Sequence, residues 1–326
     1  MKTSMKLGLG LAGLLAFSVS AMAQEKWNLP AAFPAGNFHT ENLVQFAKDV
    51  EEATGGKLQI TVHPNATLFK APEIKRAVQT GQAEIGEVLM SLHENESPFF
   101  GIDNLPFLTA SYEDSDKLWE AVKPEIEKKL ASQKLTLLYA VPWPPQGLYA
   151  NKELNTVDDL KGLKWRAYNA TTSKIGEAVG AQPVTVQSAE LAQALATGVV
   201  NSMMTSSATG ADMKVWESLS HYYDVQGWQP RNIIFVNTAK FEALDKDVQE
   251  AVLKAAAEAQ KRGTEISKQK TKEFTEEFSK RGMKVQPPSP EMRAGLEKIG
   301  DKIAQEWAEK AGPDGQAVLD NYRKSR

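Results

Sequence analysis

The chain has 326 residues, 42% of them hydrophobic and 24% charged; this ordinary globular usage excludes a disordered or fibrous chain. Its 38 Lys and Arg stand against 41 Asp and Glu, and no basic tract offers a footprint for nucleic acid. It contains no cysteine, so disulfides, thiolate nucleophiles and cysteine-ligated metals are excluded.

The first residues form a unit of their own. Lys2 and Lys6 precede an uncharged apolar run, Leu7 to Val19, and Ala21-Met22-Ala23 supplies a small-x-small cleavage site. The run is shorter than the roughly 20 residues of a membrane span. Residues 1–23 therefore read as a secretory signal peptide, removed near Ala23. The mature chain then carries 36 basic and 41 acidic side chains, a net charge of −5, and is expected to be exported and soluble.

From there strands and helices alternate. Lys26–Ala31 is a short strand candidate. Thr40 to Thr54 is predicted helical, with Leu43, Phe46, Ala47 and Val50 as its stripe and Gly55-Gly56 as its stop. Lys57–His63 alternates as a strand, Pro72–Thr80 is a helix, and Glu84–Met90 is a third strand. This βαβαβ order predicts a parallel sheet. Tyr112–Ser132 reads as a helix and Leu135–Val141 as an apolar strand. Pro142-Trp143-Pro144-Pro145 cannot continue regular structure and marks a crossing between domains, with Arg231–Asn237 as the return. Asp245 to Lys280 is one helical pattern, about 50 Å long at 1.5 Å per residue. Glu291–Lys310 is the closing helix.

The stretch Asp159–Ser202 carries the most information. Leu163 to Tyr168 alternates as a strand, with Leu163, Trp165 and Ala167 on one face and Lys164, Arg166 and Tyr168 on the other. Trp165 is thus assigned to the core. Ser173–Val179 is a short helix, Val184-Thr185-Val186 is strand-like, Ser188 is the expected N-cap of the next helix and Gly198 its C′ glycine. Val199–Met204 is a strand with Thr205-Ser206-Ser207 at its carboxyl end, where parallel α/β sheets bind ligands. Arg166 is either half of a surface ion pair or a ligand for an anion, since its planar fork matches a carboxylate with two hydrogen bonds.

Three segments in this stretch resemble a known family: Asp-Leu-Lys-Gly-Leu-Lys-x-Arg, Gly-Ala-x-Pro, and Glu-Leu-x-x-Ala-Leu-x-Thr-Gly-Val-Val. In this order they are similar to the DctP-type periplasmic solute-binding subunits of TRAP transporters. Phe46–Lys57, Gln79–Gly86 and the Leu-Pro-Phe ending Ile102–Phe107 extend the resemblance over nearly the whole mature chain. It implies an α/β, two-lobed periplasmic binding protein, with hinge strands crossing between the lobes and a long helix spanning both. Lobe I would comprise 24–144 plus 231–270, and lobe II 145–230 plus 271–326. It also implies that Arg166 binds a carboxylate, that no cofactor is needed, and that a monomer delivers the ligand to TRAP membrane subunits. Some members carry a second arginine twenty positions earlier, where this chain has Gln146. Ser188 and Thr205 stand where an aromatic and an asparagine are common.

Around Arg166, Gln146, Tyr168 and Thr205 are candidates for hydrogen bonds to the ligand, with ordinary strand-end bonding as the alternative. Ser206 is a candidate for binding or capping, since no Gly-x-Ser-x-Gly elbow makes it a nucleophile. Phe33, Trp143 and Trp228 are candidate apolar walls. Met90 either lines the same crevice or packs in the core. His39 joins the candidates from the loop before the first helix, with a solvated or hydrogen-bonded histidine as the alternative. No histidine pair has metal-ligand spacing. One arginine points to a monocarboxylate, and aromatic walls suit an aromatic, 2-oxo or 2-hydroxy acid. Sugar acids, short dicarboxylates and a secreted enzyme of organic acids stay open as alternatives.

Overall fold

The computed structural model describes residues 24–325; the expected signal peptide, 1–23, lies outside them. In chain order the first elements are β1 (Glu25–Pro30), α1 (Phe38–Ala53), β2 (Leu58–His63), α2 (Ala71–Gln79), β3 (Ile85–Leu89), α3 (Tyr112–Ser132), β4 (Leu135–Pro142) and β5 (Gln146–Ala150). Then come β6 (Lys164–Ala167), α4 (Ala170–Ala178), β7 (Gln182–Thr185), α5 (Ser188–Ala196), β8 (Ser202–Ser206), α6 (Ser207–Asp212) and β9 (His221–Tyr223). The last are β10 (Arg231–Asn237), α7 (Thr238–Glu242), α8 (Lys246–Lys280), β11 (Lys284–Gln286) and α9 (Pro290–Ser325).

Local chemistry sets the ends of these elements. Asn37 starts α1, two residues earlier than expected: its Oδ1 accepts the His39 N–H at 2.9 Å and so satisfies one orphan donor of the first turn. Gly55 and Gly56, at φ 59° and 80°, turn the chain out of α1 into β2. Gln187, not Ser188, precedes α5, and Ser188 is its first residue.

The first lobe departs from the all-parallel expectation. β1 and β2 do pair in parallel, but β3 and β4 both pair antiparallel with β10, which lies between them. β10 enters on the way back from the second lobe, so its direction is reversed, and a strand that arrives from so far along the chain leaves no mark on the local βαβ order. The second sheet has the order β11-β9-β5-β8-β6-β7. It is mixed, with β6 parallel to β7 and β8 and β5 antiparallel to β8 and β9.

Two crossings join the lobes, and they are bonded to each other. The Trp143 N–H donates to Pro230 O at 2.8 Å and the Gln146 N–H to Trp228 O at 2.9 Å. α8, a helix of 35 residues, packs on α1 and β4 at one end and on α6 and β11 at the other. Gly263 makes its closest approach possible: a Cβ there would lie 2.8 Å from Asn42 Nδ2 and from both Val141 methyls. α9 runs on to Ser325, past the expected end at Lys310. The chain bends at Gly312 (φ 60°) before Pro313 and resumes, so Gly-Pro acts as a kink and not as a stop. The helix packs on α3, and the Trp307 indole donates to Pro98 O at 2.7 Å. This helix therefore leans on residues of the first lobe as well as the second.

The largest apolar cluster is continuous through both lobes, from Trp27 and Phe46 through Trp143 and Trp228 to Trp165 and Ile175. A smaller one around Tyr149, Tyr222 and Phe278 belongs to the second sheet. A polar chain is buried beside the first. Trp143 Nε1 donates to Asn232 Oδ1 (2.8 Å), Asn232 Nδ2 donates to Glu87 Oε1 (2.9 Å), and His39 Nδ1 lies 3.7 Å from the same oxygen. Burial pushes the Glu87 carboxyl up to about 7, against the opposing Asn232 bond, and pushes the His39 imidazole well below its usual range.

Two outcomes follow. Gly263→Ala gains about 1 kcal/mol of helix propensity but forces α8 off Val141, at a cost of about 1–3 kcal/mol. Its urea midpoint should fall, and an unchanged or higher midpoint would show that the contact yields freely. Glu87 holds its proton more tightly folded than unfolded, so its contribution to stability is fullest at low pH and is lost as pH rises from the ordinary carboxyl range to about 7. Glu87→Gln keeps an acceptor for Asn232 and does not titrate. Its stability relative to wild type should improve from pH 5 to pH 8; a difference independent of pH would mean that Glu87 does not titrate in this window.

Candidate functional site

Arg166 reaches the site because β6 alternates. The side chain of Trp165 turns into the core, where its indole donates to Thr172 O at 2.9 Å, and Arg166 takes the opposite face. The guanidinium is 4% exposed. Its Nε donates to Val186 O at 2.9 Å, and its Cζ sits 4.8 Å from the centre of the Tyr168 ring, in the range of a cation–π contact. Among the described residues no carboxylate forms an ion pair with it, which rules out the surface-pair alternative. Burial lowers its pKa to about 10, with the charge of Tyr168 opposing, so it is still a cation at neutral pH. A buried cation without a counter-charge is costly, and an incoming anion relieves that cost.

A cavity of about 40 Å³ lies against this guanidinium. That is several times the roughly 10–15 Å³ that admits one water, so the space suits a small molecule. Among the described residues Arg166 is the one charged side chain on its wall. Phe33, Leu89, Leu92, Trp143 and Pro230 supply apolar surface, and Gln146, Gln187, Ser188, Thr205, Ser206 and Thr209 supply amides and hydroxyls. Phe33 and Trp143 meet edge to face at 4.7 Å between centroids, so both rings are held by each other. Ser206 Oγ accepts the Thr209 N–H at 3.1 Å and caps α6, while the residue also lines the cavity.

Of the residues proposed from sequence, the structure therefore gathers Phe33, Trp143, Gln146, Arg166, Tyr168, Thr205 and Ser206 around one space. Three others lie off it. Met90 is fully buried; the side chain one step earlier, Leu89, faces the cavity, because a single residue reverses the face of a strand end. Trp228 sits deeper, with its Nε1 donating to Tyr168 Oη at 3.2 Å. His39 belongs to the first turn of α1, not to a loop, and packs against Trp143 with its ring tilted, 4.2 Å between centroids. Leu89, Leu92, Gln187 and Thr209 were not anticipated. Leu89 was accessible from the same alternation that separated Trp165 from Arg166.

Tyr168 lines the cavity with its ring, while its hydroxyl is committed elsewhere. Tyr168 Oη lies 3.1 Å from Gln146 Oε1 and 3.4 Å from Asn104 Oδ1, and it accepts from Trp228. Gln146 Nε2 in turn donates to Pro144 O at 3.2 Å. These two candidates serve one another more than they serve the cavity.

Known proteins of this form bind organic acids. Residues 31–311 match the family model for bacterial extracellular solute-binding protein, family 7, DctP. The chain is similar to DctP6 of Bordetella pertussis, an extracytoplasmic solute receptor binding pyroglutamic acid: identity is 53%, the TM-score is 0.90, and the match covers 92% of this chain and 99% of that one. It is also similar to a TRAP solute-binding protein from a marine metagenome, specific for pyroglutamate and solved with co-purified pyroglutamate, at 48% identity, a TM-score of 0.91, and coverage of 93% and 100%. The C4-dicarboxylate-binding periplasmic protein DctP of Rhodobacter capsulatus is 26% identical over 286 residues, 86% of this chain and 85% of that one. With its two lobes, spanning helix and family match over most of its length, this chain belongs to the DctP family of bacterial extracellular solute-binding proteins, the solute receptors of TRAP transporters.

Proposed function

We propose that this receptor carries pyroglutamate, or a close cyclic monocarboxylate, with the carboxylate on Arg166. The observation that carries this reading is the buried, uncompensated guanidinium of Arg166, alone as a charge on the wall of a small cavity. One guanidinium suits one carboxylate, and a dicarboxylate would bring a second anion to a wall with no second cation. Phe33, Trp143, Leu89 and Leu92 fit the methylene side of a five-membered ring. Gln187, Ser188, Thr205 and Thr209 offer donors and acceptors for its ring amide. The two similar receptors described as pyroglutamate binders support the same choice.

In this reading the lobes are 24–144 with 231–270 and 145–230 with 271–326, the last helix leaning on both. The mature protein starts after Ala23 and works in the periplasm. It binds and releases its ligand unchanged; among the described residues the titratable side chains on the wall are Arg166 and Tyr168, and the Tyr168 hydroxyl is engaged and raised by burial.

Calorimetry and thermal melting test this with pyroglutamate beside succinate and galactonate. At 100 times its Kd a ligand adds about 2.7 kcal/mol to stability, so pyroglutamate should raise the melting temperature clearly and the other two should not. Arg166→Ala removes one partner of a buried charge pair, a loss of about 2–5 kcal/mol, equivalent to at least a thirtyfold rise in Kd. Unaltered affinity in that variant would overturn the role of Arg166, and a preference for succinate would overturn the monocarboxylate assignment.

A further inference from the structure

The turn that follows Arg166 is gripped from the opposite lobe. Asn169 Nδ2 donates to Asn104 Oδ1 at 3.0 Å and to Ser91 Oγ at 2.8 Å. Tyr168 Oη lies 3.4 Å from the same Asn104 oxygen. Two residues on, the Thr171 N–H and Oγ1 both donate to the Glu94 carboxylate, each at 2.9 Å. Ser91, Glu94 and Asn104 follow β3 in the first lobe; Tyr168, Asn169 and Thr171 lead from β6 into α4 in the second. Of these six only Tyr168 lines the cavity.

The orientation of Asn104 is fixed from behind. Its Nδ2 donates to Asp103 Oδ1 at 2.7 Å, and Asp103 Oδ2 accepts the Arg231 N–H at 2.8 Å, on the returning crossing. The amide oxygen is thereby aimed at Asn169 and Tyr168. Asn104 is fully buried and Asn169 nearly so, so closing the lobes without these bonds would strand polar groups at about 1–3 kcal/mol each. The bonds therefore favour one register of the lobes, the one in which the Tyr168 ring and the guanidinium stacked on it stand at the cavity wall.

We propose that Asn104 is a positioning residue for ligand capture: through Asn169 and the Tyr168 hydroxyl it holds the Arg166 platform in place when the lobes close. This rests on the assignment of Arg166 as the carboxylate ligand. The polar grip makes closure and arginine placement one event, so a ligand is retained only in the correctly seated closed form.

The absence of cysteine allows a clean test. Val44 on α1 and Val199 beyond α5 are exposed, one on each lobe, and Val44→Cys with Val199→Cys accepts a pair of spin labels. Label distances with and without pyroglutamate, dissociation rates by stopped flow, and ligand-free melting are compared for Asn104→Ala, Tyr168→Phe and their combination. Asn104→Ala should weaken binding about tenfold, through faster dissociation, and should shift the ligand-free distances toward the open form. Tyr168→Phe keeps the ring and removes the hydroxyl, and its effect should overlap with that of Asn104→Ala in the double variant. It also stands in if Asn104→Ala does not fold. Wild-type dissociation and wild-type label distances in these variants would overturn the inference and leave Arg166 untouched; so would a lower melting temperature as the sole effect. If wild type ignored pyroglutamate, the ligand reading would fall, and the ligand-free distances would still decide whether Asn104 governs closure.

Discussion

A guanidinium buried without a carboxylate partner is the constraint on which the rest of this structure depends. Among the described residues nothing neutralises Arg166: it has one backbone carbonyl at Nε and an aromatic face beneath it. Such a group is tolerated because its fork can still be met by an anion. The scaffold then has two duties. It must present the cation rigidly, which the short parallel ladder of β6 with β7 and β8 does, and it must bring an apolar wall up to it from the other lobe, which β1, β3 and the Trp143 crossing do.

The crossings meet both duties at once. Because Trp143 and Gln146 bond backbone to backbone with Pro230 and Trp228, the outgoing and returning strands move together. The ring of Trp143 is fixed by Asn232, and Asn232 by Glu87, so the apolar wall of the cavity is anchored in a buried polar chain of the first lobe. Arg166 has its support in the second lobe through Tyr168. A small ligand in this cavity would thus meet two surfaces, each anchored in its own lobe, and in the proposed scheme the polar contacts between lobes set how they face one another.

Much of this was legible in the sequence where a short period governs. Alternation alone separated Trp165 from Arg166 and Tyr168, and helical spacing found the stripe of α1 and the long α8. The failures share a cause, which is that direction in space is not written locally. The antiparallel placement of β10 depends on a chain returning from another lobe. Met90 was one residue away from the side chain that faces the cavity. His39 followed a helix start that moved two residues upstream once Asn37 became the cap. The closing helix was expected to end at Lys310, yet α9 bends at Gly312 and runs on to Ser325. Tyr168 was rightly placed beside Arg166 by its period, but no pattern could say that its hydroxyl would be held by Gln146, Asn104 and Trp228.

The apolar cluster that runs unbroken from Trp27 through Trp228 to Ile175 has a thermodynamic consequence. Closure of the lobes over this shared core, as proposed for ligand capture, would take apolar surface out of water each time. Capture of even a very polar solute should then carry a negative heat-capacity change larger than the solute's own surface accounts for, and the enthalpy of binding should drift steadily with temperature while the affinity changes far less.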